Sequence, residues 1–148
     1  MAGQTALPIE QLFQGLADRT RLRLLNLMAD QEVCVCYFVE ILGLSQPVIS
    51  RHLAYLRRCG LVSARREGKW MHYRLASQAN PFAAQLLSVV LNGLATDAAM
   101  RRERAQLTRA CCSTKAFVNL QGAPRPTAIC GPSPAERATR NKKAGRHE

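Results

Sequence analysis

The sequence predicts a mainly α-helical domain with one small β-hairpin, arranged as a winged helix-turn-helix over about residues 30–75. Three observations predict it. A short apolar helix stops at Gly43 and a capped helix restarts at Ser45. Two runs of alternating side chains follow, separated by Glu67-Gly68-Lys69. The 148-residue chain carries a formal net charge of +11, the excess expected of a protein that neutralises phosphates. That charge alone does not choose a partner, because ribosomal and membrane-surface proteins are also basic. Nor is it evenly spread: from Ser113 onward seven basic residues meet two acidic ones, so +5 of the total lies near the C-terminus.

Ile9, Leu12, Phe13 and Leu16 recur at helical spacing and predict a first helix, Ile9–Leu16. Asp18 is a suitable N-cap for a second, Arg19–Ala29, with Leu22, Leu25, Met28 and Ala29 on one face. A third spans Val35–Leu42, with Val35, Phe38, Val39 and Leu42 inward. Ser45 then caps a helix to Cys59 with Pro47 in its first turn, where a missing N–H costs little. Val62–Arg66 and Met71–Leu75 form the hairpin, the wing. Asn80-Pro81 opens a long helix to about Leu107, striped by Phe82, Leu86, Val90 and Leu94. A helix of that length has more apolar surface than a small domain can cover, so the expectation is a homodimer through the first and last helices. Residues 7–108 form the predicted DNA-binding and dimerisation domain. Residues 109–148, rich in Gly, Pro and charge toward the end, form a predicted basic, disordered tail.

No apolar run approaches the roughly 18 residues of a membrane span, and Met1–Leu7 lacks the pattern of a signal peptide. The expected setting is the cytoplasm, without a membrane partner. There the six cysteines stay reduced and are available for metal or redox chemistry. No Gly-rich phosphate loop, activated nucleophile or carboxylate pair suggests an enzyme.

On a helical wheel of the Ser45–Cys59 segment, Ile49, Leu53 and Leu56 face inward; Pro47, Ser50, Arg51, Ala54 and Arg58 face outward, flanked by Gln46 and Arg57. Arg can grip guanine bidentately, Gln can pair with adenine, and Ala can meet a thymine methyl. Residues near a recognition helix's N-terminus reach base edges, so Gln46, Ser50 and Arg51 are the candidates for bases of double-stranded DNA, with the capping Ser45 a DNA-binding candidate beside them. Arg57, Arg58 and the wing residues Arg65, Arg66 and Lys69 are candidates for phosphate. His52, near the inward stripe, suits a structural role, and Tyr55 and Trp70 suit packing.

Cys34-Val35-Cys36 is the sharpest chemical feature. Two thiols one residue apart offer soft ligands at a helix start that favours thiolate, or they are two small buried side chains. On a regular helix such a pair points about 200° apart; in an extended segment it shares a face. A single bound ion would then unwind the first turn of the helix that positions the DNA-reading one.

Glu32-Val33-Cys34-Val35-Cys36, Leu44-Ser45-Gln46-Pro47-Val48-Ile49-Ser50-Arg51-His52-Leu53 and Arg66-Glu67-Gly68-Lys69-Trp70-Met71-His72-Tyr73-Arg74-Leu75 resemble the ArsR family of metalloregulatory repressors, and its arsenic-responsive branch in particular. The resemblance covers about Leu7–Thr108. It implies a homodimeric repressor of an arsenic-resistance operon with no permanently bound cofactor, released from DNA when the inducer As(III) or Sb(III) binds Cys34 and Cys36. Family members often carry a third thiol three residues after the second; Val39 stands there, and Tyr37 replaces an aspartate. Cys111, Cys112 and Cys130 are candidates for a third ligand, beside a small thiol or hydroxide, while Cys59 suits packing. No His and acidic set on the last helix suggests a zinc-type site. Two other readings stay open: the same fold sensing another thiophilic metal or thiol oxidation, and an arsenic-binding metallochaperone or thiol enzyme.

Overall fold

A computed structural model describes residues 8–112, 120 and 122–124. The elements are α1 (Ile9–Leu16), α2 (Arg19–Leu27), β1 (Val33–Cys34), α3 (Val35–Leu42), α4 (Gln46–Arg58), β2 (Val62–Glu67), β3 (Trp70–Leu75), α5 (Pro81–Leu94) and α6 (Ala98–Cys112). The mainly helical architecture with a small wing is as expected. The wing is larger than a hairpin, however: β1 joins it, giving an antiparallel sheet in the order β1-β3-β2. Both wing strands also extend one residue further than predicted, so that Glu67 pairs with Trp70 across a turn of only Gly68 and Lys69.

α2 is the centre of the fold. Asp18 caps it, accepting from the Arg21 amide at 2.9 Å. Leu24, Leu25, Leu27 and Met28 are buried, so the inward face is broader than the predicted stripe and Leu22 lies only at its margin. Buried Asn26 donates to the Met100 carbonyl at 3.0 Å, and Arg23 meets Glu103 at 2.6 Å, tying α2 to α6. α3 ends at Gly43, whose left-handed backbone (φ 64°) points its N–H back to the Val39 carbonyl. On α4, Ile49, Leu53 and Leu56 are fully buried, as the wheel requires. Each contributes roughly 1.5–3 kcal/mol by leaving water.

The single long C-terminal helix is a correction. α5 and α6 are separate and bend by 90° at the break. The cause is local: the Asp97 carboxylate accepts from the Ala99 and Met100 amides at 2.8 and 3.1 Å, starting a new helix. The Thr96 hydroxyl meanwhile donates to the Gly93 carbonyl at 2.7 Å and finishes the old one. Of the predicted stripe on α5, Leu86 packs against the core, Val90 and Leu94 are half-buried and Phe82 is exposed. Ala83 and Leu87 are buried, while Phe82 and Val89 are exposed. α6 runs on through Cys112, with Ala110 and Cys111 in the core together with Leu120 and Ala123. Most of the predicted tail, including Cys130, lies outside the described residues.

α1 lies against the end of α4. A Cβ built on Gly15 would sit 3.0 Å from Leu61 Cδ1 and 3.2 Å from Cys59 Sγ. We expect Gly15→Val to lower stability by about 1–3 kcal/mol, the usual cost of overpacking a filled contact. Chemical denaturation measures this, and an unchanged midpoint would show that α1 can back away freely.

Candidate functional site

Two features make up the candidate site: the exposed face of α4 with the wing, and the thiol pair where β1 joins the wing sheet. Ser45, Gln46, Ser50, Arg51, Arg57 and Arg58 are all exposed, as are Arg65, Arg66 and Lys69 on the wing. Ser45 takes the N-cap position of α4 in extended backbone (φ −65°, ψ 151°), but its side chain makes no capping bond. The hydroxyl is thus left at the surface, contrary to the capping role the sequence suggested.

Arg51 and Arg58 do not act alone. With Arg21, His52 and Tyr55 they line a depression of about 390 Å³ beside α4. The Arg21 guanidinium stacks 4.2 Å from the centre of the Tyr55 ring, and that of Arg58 lies 5.4 Å from it. Arg21 also donates to the Gly15 and Gln14 carbonyls at 2.8 and 2.7 Å. It therefore fastens the end of α1 to α4. No local sequence pattern signals this role, because the partners lie on α1 and α4 and only the fold brings them to α2. His52 is half-buried with Nδ1 3.6 Å from the Asp18 carboxylate, which accords with a structural role.

The wing cations are less alike than their sequence suggested. Lys69 lies over the Trp70 ring at 4.9 Å, and Arg66 donates to the Gly68 carbonyl at 3.0 Å. Arg65 is held by carboxylates, 2.6 Å from Glu32 and 3.3 Å from Glu67. That guanidinium holds the Glu32 carboxyl below its ordinary pKa.

The thiol pair overturns one expectation. Cys34 is the last residue of β1 and the N-cap of α3, in extended backbone (φ −70°, ψ 142°); Cys36 lies in the first helical turn. The regular-helix geometry that would set the sulfurs about 200° apart does not apply across that boundary. The Cys36 thiol donates to Cys34 Sγ with the sulfurs only 3.2 Å apart. No unwinding is needed to bring them to one atom. The bond drives the two pKa values apart. Cys34, relieved as a thiolate by the Cys36 S–H, is lowered to about 7. Cys36 is raised, because its proton is held by Cys34 and burial disfavours its charge.

Cys34 is buried and Cys36 half-buried. Among the other cysteines, Cys111 and Cys59 are buried and Cys112 is exposed. Burial raises the Cys59 pKa, as suits a packing residue against Gly15. Among the described residues no group of three or more His, Cys, Asp or Glu side chains is placed to hold a metal ion, so Cys111 and Cys112 do not complete a three-ligand set with the pair.

Residues 18–64 match the family described as bacterial regulatory protein, arsR family. The chain is 50% identical over 82 residues to the arsenical resistance operon repressor of Escherichia coli K12, covering 55% of this chain and 69% of that one. The chain belongs to the ArsR family. It is a DNA-binding transcriptional repressor rather than an enzyme, and the resemblance carried by its cysteine, helix and wing motifs is borne out. This ArsR-family chain is also 45% identical over 84 residues to the arsenic resistance transcriptional regulator ArsR1 of Pseudomonas putida KT2440, covering 56% of this chain and 62% of that one. It is 44% identical over 77 residues to a probable mercury resistance operon repressor of Streptomyces lividans, covering 52% and 59%. Among solved structures, HlyU from Vibrio cholerae superposes with a TM-score of 0.52 at 32% identity, covering 62% of this chain and 96% of that one.

A difference titration of thiolate ultraviolet absorbance, wild type minus Cys34→Ala, should show a transition near pH 7. In a Cys36→Ala background it should move up toward the ordinary thiol range of about 8.5, because the donated S–H is gone. A transition that stays near pH 7 would mean that Cys36 does not set it.

Proposed function

We propose that the chain represses an arsenic-resistance operon and leaves its operator when As(III) or Sb(III) bonds to Cys34 and Cys36. The observation that carries this reading is the 3.2 Å separation of the two sulfurs. With sulfur bonds of about 2.3 Å, the length thiolates make to zinc, two sulfurs so spaced subtend about 90° at a shared atom. That suits a pyramidal centre with a lone pair. It is far from the opposed sulfurs of a linear two-coordinate ion, and it needs little adjustment for As(III) or Sb(III). The names of the Escherichia coli and Pseudomonas putida relatives agree with the choice.

The bonding chemistry balances without an oxidant. Each thiol exchanges for one hydroxide of arsenous acid; an S–As bond forms, an As–OH bond breaks, and the thiol proton leaves with the hydroxide as water. Cys34, with its pKa near 7, supplies the first sulfur as a thiolate. Val39 offers no third sulfur, so hydroxide or a small thiol completes the centre, with the half-buried Cys36 on the more accessible side.

DNA is read by Ser45, Gln46, Ser50 and Arg51, with Arg57, Arg58, Arg65, Arg66 and Lys69 on phosphates, Arg65 in the position where Glu32 and Glu67 hold it. The unit that does this is residues 7–108 together with the rest of α6. It pairs as a homodimer in the cytoplasm. Ile9 and Phe13 on α1 and Phe82 and Val89 on α5 supply the exposed apolar face: each is 46–67% exposed in the single chain.

Cys34→Ser with Cys36→Ser should leave operator affinity within about two-fold and abolish release by arsenite and antimonite. Titration of the operator complex with arsenite, antimonite, cadmium and zinc tests this. Retained release would place the sensor elsewhere, and a stronger response to cadmium or zinc in the wild type would refute the arsenic assignment. Arg51→Ala should cost about 1–3 kcal/mol on the operator and markedly less on random DNA. An equal loss on both would make Arg51 a phosphate contact.

A further inference from the structure

The register of the sheet places His72 directly opposite Cys34 on one side and Arg65 on the other. Side chains at directly opposed positions of an antiparallel sheet share a face. Cys34, His72 and Arg65 thus form one rung, running from the thiol pair to the wing. His72 is buried, 5% exposed. Its Nε2 lies 3.1 Å from Glu67 and its Nδ1 3.8 Å from Glu32. The same two carboxylates hold Arg65.

We propose that this rung is the coupling element: ligand bonding at Cys34 and Cys36 acts on DNA through His72 and the Glu32–Arg65–Glu67 cluster around it. The inference rests on the reading of Cys34 and Cys36 as the inducer site. Because the sulfurs are already adjacent, helix unwinding does not supply the signal. Cys34 is 1% exposed, so an atom added to its sulfur, with a third substituent, needs room that neighbouring side chains must yield. His72 is the side chain facing it across the sheet. When His72 shifts, Glu32 and Glu67 lose their common centre, and Arg65 and the hairpin that carries it change position relative to DNA. His72 is a positioning residue here, and Glu32 sets where Arg65 lies.

The test uses the full chain and two variants: His72→Gln, which keeps a polar side chain in the buried site, and Glu32→Gln, an isosteric change at a half-buried position. Asp30→Asn, which weakens the Asp30–Arg104 pair outside the rung, is the control. Operator affinity is measured without and with saturating arsenite, and arsenite affinity is measured by arsenic–thiolate absorbance for free and operator-bound protein. The wild-type ratio of operator affinities should lie at about 5–150-fold, the usual range of allosteric coupling. In both rung variants it should fall to less than about three-fold, with unchanged arsenite affinity for the free protein. By reciprocity, the operator-bound variants should bind arsenite more tightly than operator-bound wild type, by the factor the ratio lost. Asp30→Asn should keep the wild-type ratio. A wild-type ratio in both rung variants overturns the coupling while leaving the inducer site standing. A loss of uninduced operator binding by ten-fold or more in Glu32→Gln also overturns it, since the cluster would then serve docking. Arsenite binding that survives Cys34→Ser with Cys36→Ser overturns the inducer site, and the coupling with it.

Discussion

The extended backbone of Cys34 does two things at once: it closes β1 against the wing and it begins α3. Both follow from one pair of dihedral angles, φ −70° and ψ 142°. Val33 and Val35 favour that conformation, since β-branched side chains suit a pleated strand better than a helix start. Val33 is fully buried and pairs with Tyr73, which fixes the register. Had the helix begun one residue earlier, the two sulfurs would face about 200° apart. The strand-to-helix boundary turns that separation into a 3.2 Å contact. It also makes the thiols neighbours of the wing rather than of the helix interior alone, so the chemical site and the DNA-facing surface share a sheet.

The same economy governs the positive charge. Half of the basic excess lies beyond Ser113, so the folded domain must place its cations selectively. Those of α4 point outward because Ile49, Leu53 and Leu56 take the inward side. Arg21 is spent internally, on the Gln14 and Gly15 carbonyls and the Tyr55 ring. Arg65 is divided between Glu32 and Glu67. Ion pairs this exposed contribute little to stability. That makes them suited to rearrangement: a contact that costs little to break can be given up when a ligand shifts its neighbours.

How much of this was legible in the sequence depended on whether the determining contacts were local. The Asp18 cap, the Gly43 stop, the inward stripe of α4 and the alternating wing strands are properties of a few neighbouring residues, and each was readable. The outward set on α4 was readable for the same reason. β1 was not: two residues carry no period, and their strand character comes from Tyr73 and His72 far along the chain. The break at Asp97 was hidden because an apolar stripe runs through Val90 and Leu94 and resumes beyond it, masking a Thr-Asp pair that is a helix stop and start. The grouping of Glu32, Arg65, Glu67 and His72 was invisible as a unit, since only the register brings it together. The thiol pair itself was found, but its geometry was misjudged, because a wheel assumes a helix that has not yet begun at Cys34.

The contact at Gly15 links these local features to the proposed dimer. α1 sits so close to Cys59 and Leu61 that no side chain fits between. Arg21 adds two hydrogen bonds to the end of the same helix while stacking on Tyr55 of α4. Arg21 and the Gly15 contact thus tie the end of α1 to α4. If two chains pair through the exposed residues of α1 and α5, the distance between their DNA-facing helices is set by this packing and not by a flexible linker. Two such helices must meet successive major grooves about one helical turn apart, so an error of position in α1 becomes an error of docking. The wing meets α4 through β2 and the thiol pair through β1, so a ligand bound at the cysteines reaches the α4 surface by way of the sheet.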